Sequence, residues 1–273
     1  MPFADLREFI QALDKLQELR VVQGADWNLE IGTLDELNYE KLGPALLFDE
    51  IKDYPKGYRI LTNAMDPLRR ALLAMDLPLD LDVDSAIDCY RDKVFGPYQP
   101  IPPRYLQTGP VHENVFMGEE VDLWKFPTPQ WHKGDGGRYI GTGCMVIMKD
   151  PDDGSVSFGC YRVMVSGRSV AGLYISPSHT GATIEKKYWE RGQSCPVSVS
   201  LGQDPVLFLG AGHFFGEKRQ VSKYDLVGQI RGEAVEVVRE EVTGLPIPAT
   251  AEIVIAGDIP PPDVQSQDEG PFG

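Results

Sequence analysis

Cysteine, histidine and basic charge are scarce in this sequence, and long apolar runs are missing. The four cysteines, Cys89, Cys144, Cys160 and Cys195, are never in CxxC spacing. That argues against a zinc site or a redox pair and leaves buried free thiols in a reducing compartment. Lys and Arg total 26 against 41 Asp and Glu, a net charge of −15. Such a surface repels phosphate backbones, so nucleic acid is excluded as a partner; the acidity serves solubility and still allows a local basic pocket. No stretch approaches the ~18 apolar residues of a membrane span, so no membrane partner is expected. The N-terminus, MPFADLREFI, has an early acidic residue and no cationic-then-apolar order, which is not the pattern of a signal peptide. The expected location is cytoplasmic. GxGxxG and internal repeats are also lacking.

What remains is ordinary soluble-protein composition, 42% hydrophobic and 25% charged over 273 residues, enough for one large or two modest domains. Leu6, Phe9, Ile10, Leu13 and Leu16 recur at helical spacing behind Asp5 as N-cap. A strand is expected at Ala45–Phe48, a helix from Asp66 with Pro67 in its first turn, and another over about 85–94. The Pro-rich GPYQPIPPR, residues 96–104, reads as a linker or boundary. From about 111, short β-rich runs alternate with the turn signals PDDG and SGRS. They are CMVIMKD, SVSFGCYRVMV, VAGLYIS, PVSVSL, PVLFL, AVEVV and AEIVIA, interrupted by helices near 182–191 and 223–230. The expected class is α+β: an α/β domain over 1–110, then a β-barrel with inserted helices over 111–273. The tail, GDIPPPDVQSQDEGPFG, ends in mid-loop, so a continuation is expected.

Several segments occur in a telling order: DGGRYIGTGCMVIMKDP, SFGCYRVMV, SPSHTG, SKYDLVGQIRGEAVEVV, PATAEIVIAGDI and EGPFG. Together the series resembles the UbiD-like (de)carboxylases along essentially the whole chain, most strongly from residue 131. The resemblance implies that the barrel is a split β-barrel of the flavin-reductase type. It implies prenylated FMN (or FMN) as cofactor, held through its phosphate with a divalent metal and potassium. It implies reversible decarboxylation of an aromatic or α,β-unsaturated acid, and a C-terminal dimerising domain for which this chain has no room. A homo-oligomer or a companion chain carrying that domain is the expected partner.

On pattern alone Arg162 is a strand arginine in a salt bridge. The resemblance makes it the arginine that orients the substrate carboxylate, for which a planar fork is suited, and pairs it with Glu269 of EGPFG. In the family a second acid follows that motif as proton donor, and this sequence ends one residue short of it. The family's metal ligands are Asn, His and Glu; the matching positions here are Ser157, His179 and Lys223. A serine hydroxyl is a poor ligand and a protonated lysine is none, so the divalent metal is not expected, and potassium stays open. Ser222 and Asp225 form an S-x-x-[DE] capping signal that makes Lys223 the first helical residue. Two readings of Lys223 stand: a counter-ion replacing the metal at the cofactor phosphate, or a solvated surface lysine. Gly159, Cys160, Tyr161 and Ser178 complete the expected cofactor contacts, with His179 at a phosphate rather than on a metal. His132 and His213 are pocket lining at most, and Trp131 and Tyr139 read as core aromatics. The functional classes that follow are an enzyme of this type and a non-catalytic flavin- or phosphate-binding subunit.

Overall fold

The computed structural model describes residues 3–97, 99–213 and 222–272. The N-terminal part opens with α1 (Leu6–Lys15). The Asp5 carboxylate accepts from Glu8 N at 2.8 Å, and the apolar stripe buries Phe9 and Leu13 completely. Parallel strands β1 (Leu19–Gln23) and β2 (Ala45–Asp49) are joined by α2 (Glu30–Glu40), and β3 (Ile60–Thr62) runs antiparallel to β2. Helix α3 (Leu68–Ala74) starts two residues later than expected, with Pro67 as its cap. Helix α4 (Val83–Phe95) is capped by Asp82. Neither β1, of which no residue is buried, nor α2, which buries only Ile31 and Gly32, shows a clear apolar period.

From Ile101 the Pro-rich segment is fixed to the rest of the fold. Ile101 N donates to Asp225 O, and a Cβ on Gly228 would meet Ile101 O at 2.3 Å, so the two backbones run in contact. Strand β4 (Arg104–Tyr105) then pairs with a strand far along the sequence.

The remaining strands are β5 (Arg138–Gly141), β6 (Met145–Lys149), β7 (Val156–Gly159), β8 (Arg162–Val165), β9 (Ala171–Tyr174), β10 (Cys195–Leu201), β11 (Glu236–Arg239), β12 (Pro246–Pro248) and β13 (Ile253–Ile259). They form three sheets in the orders β13-β10-β6-β7, β12-β11-β4 and β5-β8-β9. Helices α5 (Thr180–Trp189), α6 (Pro205–Gly212) and α7 (Lys223–Arg231) pack against them. The PDDG and SGRS turns close the β6–β7 and β8–β9 hairpins. The class is α+β.

Two expectations change. The run SVSFGCYRVMV is two strands in different sheets, because the chain breaks pairing at Cys160-Tyr161. The run PVLFL is helix α6. The Asp204 carboxylate accepts from Val206 N at 2.6 Å and Pro205 occupies the first turn, which are strong helix-start signals. Pro205, Val206, Leu207, Gly210 and Ala211 are buried around several sides of the helix, which erases the amphipathic period and imitates a buried strand.

The four-stranded sheet has core on both faces. Met145, Ile147 and Phe158 face α6, α7 and β11, while Val146, Met148, Val197 and Val199 face Val163 of β8 and Ile184 of α5. No described helix is long and apolar enough to cross a membrane.

Candidate functional site

Arg162 is the first residue of β8, paired in register with Tyr174 of β9. Its Nε donates to Glu269 Oε1 at 2.7 Å and its Nη2 to Glu269 Oε2 at 2.8 Å, a bidentate fork. The Tyr174 ring lies 4.3 Å from the guanidinium carbon, so the cation is also stacked. Glu269 lies 107 residues further along the chain, yet its main chain is tightly fixed. Gly136 N donates to Pro271 O at 2.7 Å. A Cβ on Gly136 would sit 2.0 Å from Glu269 O, and Gly270, at φ +79°, packs against Gly136 Cα. Glycines at both contact points let the loop at 269–272 nest in the DGG turn. Phe272 then stacks on Tyr139 with ring centroids 4.2 Å apart.

Tyr139 belongs to β5 and is fully buried. Its hydroxyl lies beside the Glu269 carboxylate. Burial, together with the nearby Glu269 carboxylate, pushes the phenol up to about 12. The sequence reading of Tyr139 as core is half the answer: it is core in burial and it is beside the ion pair. Tyr139 and Phe272 line one wall of a cleft of about 1680 Å³. His132, Thr142, Gly143, Gln203 and Phe208 also line it, as do Asp35 and Thr62 of the N-terminal part. Gln203 is buried, with Nε2 on Gly143 O at 3.1 Å and Oε1 unpartnered. No sequence motif had marked Gln203; its burial is its only signal.

Lys223 begins α7 as expected, with Ser222 Oγ accepting from Tyr224 N. It is not a solvated surface lysine. Its Nζ donates to Phe158 O at 2.6 Å and His213 O at 3.0 Å, and burial pulls its pKa down to about 8. His213 Nδ1 lies 3.0 Å from the Tyr90 hydroxyl. His179 is the residue before α5, its ring 5.5 Å from that of Tyr161. Ser178 Oγ lies 3.4 Å from Ser176 Oγ. Tyr161 turns back on itself: its hydroxyl accepts from Gly181 N at 3.3 Å, and a Cβ on Gly159 would strike its ring at 2.3 Å. Its carbonyl accepts from the Cys144 thiol at 3.0 Å, while Cys160 Sγ lies 3.5 Å from Thr142 O. Ser157 is a β7 residue opposite Met148 of β6. Among the described residues no group of three or more His, Cys, Asp or Glu is arranged to hold a metal ion.

The α+β fold and its bidentate Arg162–Glu269 pair can be compared with known proteins. The 3-octaprenyl-4-hydroxybenzoate carboxy-lyase N-terminal domain matches residues 10–89, and the Rift-related domain of the same carboxy-lyases matches residues 104–273. The chain belongs to this UbiD family. It is 37% identical over 280 residues to the pyrrole-2-carboxylic acid decarboxylase of Pseudomonas aeruginosa, covering 98% of this chain and 55% of that protein. The closed form of the vanillic acid decarboxylase of Sedimentibacter hydroxybenzoicus superposes with a TM-score of 0.89 at 25% identity, covering 100% of this chain and 58% of that one. An evolved dimeric form of the UbiD-class enzyme HmfF from Pelotomaculum thermopropionicum, in complex with prFMN, gives 0.86 at 26% identity, covering 99% and 60%. The chain thus spans somewhat over half the length of these relatives.

Proposed function

We propose that this chain is the cofactor- and carboxylate-binding part of a reversible decarboxylase acting on an aromatic or α,β-unsaturated carboxylic acid. The observation that carries the reading is the bidentate Arg162–Glu269 pair, held beside the cleft by the glycine-nested loop. The Nε/Nη2 edge of Arg162 faces Glu269, so the Nη1 side of the fork remains to bind a second carboxylate, that of the substrate. Loss of CO2 leaves an electron pair on carbon that must be protonated, and Glu269 is the group we assign to that proton transfer.

The cofactor we assign is prenylated FMN, or FMN. A solved UbiD-class relative in complex with prFMN supports this assignment. When bound, the flavin supplies the electron sink for the departing carboxylate. Ser157, Gly159, Cys160, Tyr161, Ser178, His179 and Lys223 are its assigned surroundings through the family resemblance; none of them lines the cleft of about 1680 Å³, so the cofactor is assigned to the break between β7 and β8 and not to that cleft. The two sheets meeting at Cys160-Tyr161 are read as halves of a split β-barrel of the flavin-reductase type, because they share one core. A divalent metal does not fit the family's ligand positions, since an ammonium donating to two carbonyls stands where a carboxylate ligand is needed.

The test uses full-length protein loaded with prenylated FMN. Visible flavin absorbance and CO2 release from pyrrole-2-carboxylate or a phenolic acid are the expected results; failure to take up flavin overturns the reading. The Lys223 substitution favours one alternative, a binding subunit without turnover. Flavin uptake with no CO2 release from any such acid would select that alternative.

A further inference from the structure

Strand β5 is held from both faces. Successive side chains on a strand point to opposite sides, so Tyr139 turns to Phe272 and Arg138 turns the other way. The Arg138 guanidinium enters a socket of three rings, two of which, Trp27 and Tyr54, belong to the N-terminal part. Its carbon lies 3.8 Å from the centre of the Trp27 ring, 5.0 Å from that of Trp124 and 5.9 Å from that of Tyr54. Its Nε donates to Thr128 O at 2.6 Å and its Nη2 to the Tyr54 hydroxyl at 2.5 Å. A planar guanidinium can stack on a ring and donate from its edge together, which an ammonium cannot. The main chain follows the same route. Gln130 N donates to Trp27 O at 3.1 Å and Leu29 N to Gln130 O at 3.0 Å, while the neighbouring Pro129 O accepts from Tyr139 N at 2.9 Å. Residues 128–130 thus form a bonded layer between the N-terminal part and β5. A Cβ on Gly32 would lie 2.0 Å from Trp131 O, so α2 abuts the same layer without a gap.

The socket bears directly on the DGG turn. Gly136 and Gly137 immediately precede Arg138, and Gly136 carries the loop at 269–272 through its bond to Pro271 O and its close approach to Glu269 O. β5 is also paired with β8, Arg138 opposite Val165, and β8 begins at Arg162. We propose that Arg138 is a positioning residue for Glu269: seated among Trp27, Tyr54 and Trp124, it lets the N-terminal part fix the DGG turn and, through it, the glutamate of the fork. Its effect on turnover rests on the function proposed above; its effect on the loop does not.

The experiment follows hydrogen exchange at the Gly136 amide in full-length, flavin-loaded wild type, Arg138→Gln, Trp27→Leu, the double variant and Tyr54→Phe. The rate of CO2 release from pyrrole-2-carboxylate and the Kd for that acid are measured alongside. Arg138→Gln should speed Gly136 exchange ~10-fold, the size of one lost hydrogen bond, while the buried Val199 amide of β10 keeps its wild-type rate. Turnover should fall by ~10- to 100-fold with Kd within about twofold, because Glu269 is displaced and Arg162 is not. Trp27 and Arg138 meet in one contact, so the double variant should lose no more than the worse single one. Tyr54→Phe keeps the ring and removes only the hydroxyl; it should show the same pattern to a smaller extent, and it carries the test if Arg138→Gln does not fold. Gly136 exchange at the wild-type rate in the folded variants overturns the proposal. Equal acceleration at Val199 would make Arg138 a stability residue only and overturn it too, as would additive losses in the double variant or faster Gly136 exchange with unchanged turnover. A wild type that releases no CO2 overturns the proposed function instead, and the exchange rates still decide whether Arg138 places the loop.

Discussion

A single methyl group on Gly136 separates the loop at 269–272 from the rest of the fold. In Gly136→Ala the new Cβ would lie 2.0 Å from Glu269 O, 2.9 Å from Glu269 C and 2.8 Å from Gly270 Cα. All three are main-chain atoms, so no flexible side chain can swing aside. Real contacts of this kind essentially never fall below 3.0 Å, so the loop must retreat by about 1 Å or more. The Gly136–Pro271 hydrogen bond is lost, at about 0.5–1.5 kcal/mol. The Arg162–Glu269 pair, with Arg162 31% exposed, is weakened at about 0–1 kcal/mol. A total of about 0.5–2.5 kcal/mol is small beside the ~5–15 kcal/mol of a typical domain, so the protein stays folded. A reacting group displaced by 1 Å costs roughly 100-fold in rate. Gly134→Ala is the control, since a Cβ there meets nothing within 4 Å. The assay is CO2 release by full-length, flavin-loaded protein, with thermal melting alongside. The expected pattern is wild-type activity in Gly134→Ala and a loss of ~100-fold in Gly136→Ala, with Tm lowered by only about 2–8 °C. Gly136→Ala within about twofold of wild type would refute the nesting argument.

Arg162→Lys should lose carboxylate binding nearly as completely as Arg162→Gln, because an ammonium cannot reproduce the fork on Glu269 and the stack on Tyr174 together; titration with pyrrole-2-carboxylate reads this. Lys223→Met should destabilise by about 1–3 kcal/mol in urea unfolding, since the carbonyls of Phe158 and His213 lose their shared donor. Burial lowers the folded pKa of Lys223 to about 8 against 10.5 for the free side chain. The unfolded chain therefore binds more protons in that window, and wild-type stability should rise relative to Lys223→Met as pH increases from 8 towards 10.5. Prolonged EDTA dialysis should leave flavin binding unchanged, as measured by retained visible absorbance. A flavin lost to chelation and restored by manganese would refute the assignment of Lys223 as the resident cation.

Residues that announce themselves through local chemistry were legible in the sequence. Asp5, Ser222 and the two hairpin turns act within four residues of chain, and each caps or closes the element expected of it. Arg162 and Glu269 were legible only through the family resemblance, since 107 residues separate them and neither sits in a local pattern that demands the other. Helix α6 was misread because burial around several sides removes the period on which a helix is recognised. The burial of Lys223 was invisible for a different reason. Its partners are the carbonyls of Phe158 and His213, and main-chain acceptors leave no mark on a sequence. Tyr139 and Gln203 were missed in the same way, as ordinary residue types whose polar atoms matter only once packing has closed around them.

The break between β7 and β8 has a mechanical side. Phe158, at one end, holds the ammonium at the head of α7 through its carbonyl; Arg162, at the other, holds the glutamate fork. Between them the chain steps from one sheet to another, and the step is clamped. The Tyr161 ring fills the space where Gly159 and Gly181 would carry a Cβ, its hydroxyl is tied to Gly181 N, and its carbonyl to Cys144. The joint therefore acts as a weld rather than a hinge. Substitution has little freedom at this weld and much more along the cleft walls at Thr142 and Phe208, which are not buried.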